Sequence, residues 1–251
     1  MTTKEETAAY FQSLIESIQY DGNTFTMWYS EDKVIVGALL TDDPEAQKFF
    51  DYATIYNTII DTDAKIKYSL YEAIKWMDDV DYDKWNPFLT PSNEEHRAIY
   101  YTENAIFRTS VLWDLLAQLF NIKAGIGKSF DKVYTSQLFH DAQQGRRADP
   151  FAKKVYDYME QANNLDVEPW EGNHKYVKDF RDKMTHRASP NVSSFSNFAV
   201  EVRIPSVYVL KRVIEDYVKA SEFIQELIAD ILKDYEMLNN ADLLEGEKNN
   251  A

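Results

Sequence analysis

Residues 206–238 run for 33 positions with neither Gly nor Pro, and within that run Leu210, Tyr217, Ile224, Ile231 and Leu238 recur every seventh residue. Val213, Ile214, Leu227 and Ile228 fall between them. An apolar recurrence of this period fits one long helix with a continuous stripe that has to be covered. The stripe is either the seam of a dimerising coiled coil or the inward side of a helix in a bundle. The flanking charges do not form the regular pairs that a coiled-coil seam carries at its edges, which favours the bundle. Gly and Pro number 7 each in 251 residues. So little punctuation suits long helices with short connections, and argues against an all-β sandwich or a Gly-looped nucleotide fold.

Upstream, the same reasoning marks further helices. In residues 4–19, Ala8, Phe11, Leu14, Ile15 and Ile18 share a face. Asp43-Pro44-Glu45 reads as a helix start, with the helix reaching about Met77 and breaking near Asp61–Asp63. Residues 78–92 read as a loop, after which Ser92 and Glu95 form a capping box for a helix to about Phe120. Asn121 to Ser129 is a turn region, followed by helices at about 131–140, 149–163 and 174–187. Residues 24–40 are β-branched and aromatic around Glu31-Asp32, which suggests a small hairpin. The expected fold is therefore all-α. An N-terminal helical extension occupies 1–92, a helical bundle 93–238 and a frayed polar tail 239–251.

Composition then removes whole classes of function. There is no Cys, so disulfides, zinc ribbons and thiol catalysis are out. The first residues lack the basic and apolar regions of a secretory signal, and no run approaches the ~20 apolar residues of a membrane span, so the expectation is a cytoplasmic protein without a membrane. A net charge of −15 opposes indiscriminate nucleic-acid binding. The charge is uneven, however. Of the 27 basic and 42 acidic residues, 12 and 10 fall in 121–190, leaving 15 and 32 elsewhere, so one surface is close to neutral or basic.

Two motifs invite a chemical reading. Gly125-Ile126-Gly127-Lys128-Ser129 looks like the end of a phosphate loop, but Ile122 stands where the first Gly is required and a helix precedes it. It reads as a helix–helix turn. The stretch FRDKMTHRASP (180–190) is sharper. Asp182 and His186 lie four apart, on one helical face and within hydrogen-bonding reach, and the long Arg181 side chain can reach the same place. A His can move a proton near neutral pH and a guanidinium can hold a phosphate, the two needs of RNA cleavage by the neighbouring 2′-OH. The same residues also suit a helix-end ion pair with His at the helix C-terminus.

Arg181-Asp182-x-x-x-His186 resembles the R-x(4–6)-H signature of the HEPN superfamily, whose domains are antiparallel bundles of four or five helices. YYTENAIFRTSVLWDLLAQLFNI (100–122) resembles an earlier helix of that bundle, with Glu103, Asn104, Arg108 and Asp114 as its polar positions. The resemblance covers about 95–238 and implies a homodimeric, metal-independent endoribonuclease without cofactors, like toxin and phage-defence members. Arg181 and His186 would be catalytic, Asp182 would orient them, and Glu103 would belong to the same pocket. An antitoxin or other regulatory protein would be a partner. Asp182 departs from the Asn frequent in active members. It sets a negative charge where substrate phosphate would sit, which would also raise the pKa of His186. Lys175, Lys178, Lys183 and Arg187 surround the motif and would form the basic groove for RNA. Trp170 is either a base-stacking ring or a loop anchor. The other function class is a catalytically silent HEPN-like module that binds a protein or RNA partner.

Overall fold

The computed structural model describes residues 4–25, 44–144, 148–186, 190–196 and 199–248. Seven helices carry it: α1 (Lys4–Glu16), α2 (Pro44–Asp78), α3 (Asn93–Lys123), α4 (Thr135–Ala142), α5 (Pro150–Met159), α6 (Asn173–His186) and α7 (Ser206–Lys248). Between the last two lies an antiparallel pair, β1 (Ser194–Ser196) and β2 (Ala199–Glu201), with Phe195 opposite Val200. The all-α expectation holds.

Sequence chemistry accounts for the helix ends. Ser92 caps α3 by accepting from Glu95 N–H at 3.2 Å, and Asp149 caps α5 by accepting from Ala152 N–H at 2.9 Å, with Pro150 in the first turn. The turn after α3 needs Gly125 and Gly127 in the left-handed region, at φ 62 and 72. The Gly-Lys-Ser stretch is therefore a helix–helix turn, folded on itself where Asn121 bonds both backbone groups of Lys128.

In two places the helices exceed their expected limits. No break occurs at Asp61–Asp63, and α2 is continuous for 35 residues. The acids are absorbed one turn on, Asp61 by Lys65 at 2.5 Å and Asp63 by Lys67 at 2.9 Å, and Tyr217 of α7 donates to Asp63 at 2.5 Å. The backbone expected to fray from 239 is helical to Lys248. The β pair at 194–201 was not expected. The hairpin expected at 24–40 lies, beyond residue 25, outside the described residues.

Leu210, Tyr217, Ile224 and Ile231 are all buried, so within this chain the heptad stripe of α7 is bundle core. α3 packs along α2 on one side and α7 on the other, and α1 closes over α2 and α7. One apolar cluster runs from Phe11 and Ile15 through Ile59, Ile106 and Leu116 to Phe223. The 78–92 connection is tied down from below. Glu95 accepts from Trp85 Nε1 at 2.8 Å and pairs with Arg203 at 2.5 Å, with both charges buried.

Candidate functional site

The site is built on α6, and its position begins with Gly172. That residue has φ 75, and a Cβ there would come within 2.8 Å of the Asn163 backbone, so only Gly lets the chain turn so tightly. Asn173 then anchors the helix start. Its Nδ2 donates to Trp170 O at 2.5 Å and to Glu215 Oε2 at 3.0 Å, and its Oδ1 accepts from Arg212 at 2.7 Å. Arg212 is fully buried and also donates to Glu171 O at 2.8 Å and to Asn163. Trp170 is a loop anchor: its N–H donates to Glu215 at 3.0 Å and its ring packs on Tyr208 and beneath Lys211. Val177 and Phe180 face the core, while Lys175, Lys178 and Asp179 are exposed.

With this placement Arg181, half-buried, lines a cleft of about 710 Å³ between α3, the entry to α4, α6 and α7. Lys178 stands beside it in the same lining. The guanidinium is held by its sequence neighbour, Nη2 donating to Asp182 Oδ1 at 2.8 Å and Nε at 3.1 Å. His186 is the last residue of α6, about 140° around the helix from Arg181 and about 40° from Asp182. Its side chain and the whole of Arg187 lie outside the described residues. Lys183 turns to the opposite flank, 3.7 Å from Glu201 of β2. Of the expected basic groove, therefore, Lys178 joins Arg181 in the cleft, Lys175 sits on the exposed face, and Lys183 points to the β pair.

Glu103 is elsewhere. It lines a separate small cavity with Phe180 and Ser206, and its Oε1 accepts from Asn191 Nδ2 at 2.6 Å. Burial raises its carboxyl above the ordinary range, with the Asn191 bond working against that rise. Arg108 stays on its own helix, donating to the backbone O and Oδ1 of Asn104 at 3.1 and 3.0 Å. The part of α3 that reaches the cleft starts at Ser110, seven residues or roughly 10 Å further along.

The cleft floor is made by residues the motif search did not single out. Asp216 of α7 is fully buried. Its Oδ2 accepts from Trp113 Nε1 at 3.1 Å, its Oδ1 accepts from Tyr158 Oη at 3.2 Å, and His174 Nδ1 stands 3.5 Å from Oδ1. Trp113 stacks on Tyr158 and meets His174 edge-on with centroids 4.6 Å apart. Burial and the Asp216 charge push the Tyr158 hydroxyl far up, so it remains a neutral donor. At the rim Thr135 donates to Asp114 at 2.6 Å and Tyr134 is 71% exposed. Two signals in the sequence could have raised single members of this cluster: His174 and Arg181 lie seven apart on one helical side, and Asp216 falls on the same face of α7 as the buried Val209, Val213, Ala220 and Phe223. Among the described residues no group of three or more His, Asp or Glu side chains is placed to hold a metal ion, and no helix is long and apolar enough to cross a membrane.

Compared with family models, with curated proteins and with solved structures, the chain matches none.

Proposed function

We propose that the chain is a HEPN-like, metal-independent endoribonuclease that cleaves RNA at a cleft completed by a second copy, in the manner of a toxin or phage-defence enzyme. The 2′-oxygen attacks the adjacent phosphorus, the 5′-oxygen leaves, and a 2′,3′-cyclic phosphate remains. Arg181 would hold the non-bridging oxygens as charge builds on phosphorus, and His186 would carry the proton between the two oxygens. Asp182, on the His186 side of the helix, would orient them. The supporting observation is that Arg181 opens, with Lys178, onto a cleft large enough for a nucleotide rather than lying flat on the surface.

The second reading is a catalytically silent HEPN-like module for a protein or RNA partner. It is favoured by a specific contact: Asp182 Oδ1 takes both Nε and Nη2 of Arg181, so an acid already holds one edge of the guanidinium that would meet a phosphate. Cleavage of a panel of labelled RNAs in EDTA, by wild type, Arg181→Ala and His186→Ala, separates the two. The enzyme reading expects cutting by wild type alone. Intact RNA with a folded wild type leaves the binding module.

A further inference from the structure

The charges lining the cleft decide what it can accept. Lys178 and Arg181 supply two cations and Asp114 and Asp216 two carboxylates, while Asp182 engages Arg181 from outside. A phosphodiester therefore meets a wall with no net positive charge. An imidazole also lines it: His174, two turns before Arg181 on the same side of α6. His174 is only 8% exposed, and its Nδ1 is buried without a hydrogen bond, facing Asp216 across 3.5 Å. Asp216 is itself fixed by Trp113 and Tyr158. An imidazole whose Nδ1 is turned to a carboxylate keeps Nε2 for a ligand, and it is the side chain whose charge changes most readily near neutral pH.

We propose that His174, seated on Asp216, converts this cleft into a phosphodiester site by taking up one proton as RNA binds beside Arg181 and Lys178. In the bound state Nδ1–H donates to Asp216 and Nε2–H donates to a non-bridging phosphate oxygen. The identity of the ligand rests on the ribonuclease reading. The step is carried by charge: protonation takes the lining from balance to one net positive charge, on a protein of net charge −15. The ionisable neighbours are Asp216 and Glu215 from α7, Asp114 from α3, Tyr158 from α5, Tyr134 before α4, and Lys178 and Arg181 on α6 itself. Glu215 is engaged by Asn173 and the Trp170 N–H, and Tyr158 stays neutral.

The test is calorimetric titration of the full chain with a 2′-O-methyl RNA dinucleotide, which cannot be cleaved, across pH 6 to 8 in buffers of different ionisation heat. The expected result is uptake of about one proton per bound dinucleotide, with affinity falling by up to about tenfold per pH unit toward pH 8. His174→Gln should abolish the uptake and flatten the profile, and His96→Gln, exposed on α3 and outside the cleft lining, should keep both. If His174→Gln does not fold, the His174 ring proton resonance in wild type replaces it, and should move toward its protonated position as ligand is added. Binding without proton uptake, uptake that survives His174→Gln, or no binding at millimolar dinucleotide overturns the proposal. Cleavage assays on the same preparations keep the two readings apart. RNA cutting without His174 uptake leaves the ribonuclease and removes this site, and uptake without cutting does the reverse.

Discussion

Asp216 has no exposed surface, and three side chains from three other helices converge on its carboxylate: Trp113, Tyr158 and His174. Replacing it with Ala leaves an indole N–H and a phenol O–H buried without an acceptor. Asp216→Ala should therefore lose roughly 2–4 kcal/mol of stability, and Asp216→Asn, which keeps one acceptor, less. Urea unfolding of the two variants checks the order. Glu103 gives a pH-dependent case. Its folded carboxyl titrates above the ordinary range, so the folded state holds the proton more tightly than the unfolded chain. The contribution is fully present below the unfolded pKa and is lost as pH rises from the carboxylate range through the raised folded value. Glu103→Gln, which still accepts from Asn191, should lack that loss. Its stability relative to wild type should increase from pH 4 to pH 7 in paired urea titrations. At this scale the sequence was informative about Arg181 and its acid, because neighbours in the chain are neighbours in space. It could not reveal the Asp216 cluster, since Trp113, Tyr158, His174 and Asp216 come together only once four helices are packed.

The helices themselves were largely legible, because an apolar stripe and a cap are local. The capped start of α3, the helical starts near Pro44 and Pro150, and the burial of the α7 heptads followed from spacing alone. The expected interruption at Asp61–Asp63 was wrong for a physical reason. Two acids with a Thr between them look like a helix breaker until Lys65, Lys67 and the distant Tyr217 answer them. Element placement depends just as closely on Gly172, which fixes where α6 begins. Gly172→Ala puts a Cβ 2.8 Å from the Asn163 Cα at φ 75. It should cost more than the ~1–2 kcal/mol of left-handed backbone alone, because the clash is added. Gly125→Ala, at φ 62 with nothing within 4 Å, should cost only the backbone term. Thermal unfolding of the pair measures the difference, and equal losses would mean that the 163–172 contact can give way.

For the molecule as a whole, an acidic chain has one stretch of balanced charge, residues 121–190, which supplies Arg181 and Lys178 to the cleft, while the two carboxylates of the lining, Asp114 and Asp216, come from outside it. A site completed by a second copy requires self-association, so light scattering at micromolar concentration should give twice the mass of the 251-residue chain. A strict monomer would remove the shared-cleft mechanism and favour the partner-binding module. The function class could be narrowed from sequence by what the chain lacks, and the R-x-x-x-x-H stretch gave it direction. The expected basic groove does not gather on one surface: Lys178 lines the cleft, Lys175 is exposed outside it, and Lys183 faces Glu201, which the run of lysines in sequence did not show. The most direct measurement is the chemistry of the RNA ends after incubation in EDTA with wild type and Arg181→Ala. The account predicts 2′,3′-cyclic phosphate ends from wild type and at least about a hundredfold slower cutting by the variant. Identical cutting by both, or none by a folded dimeric wild type, would contradict it.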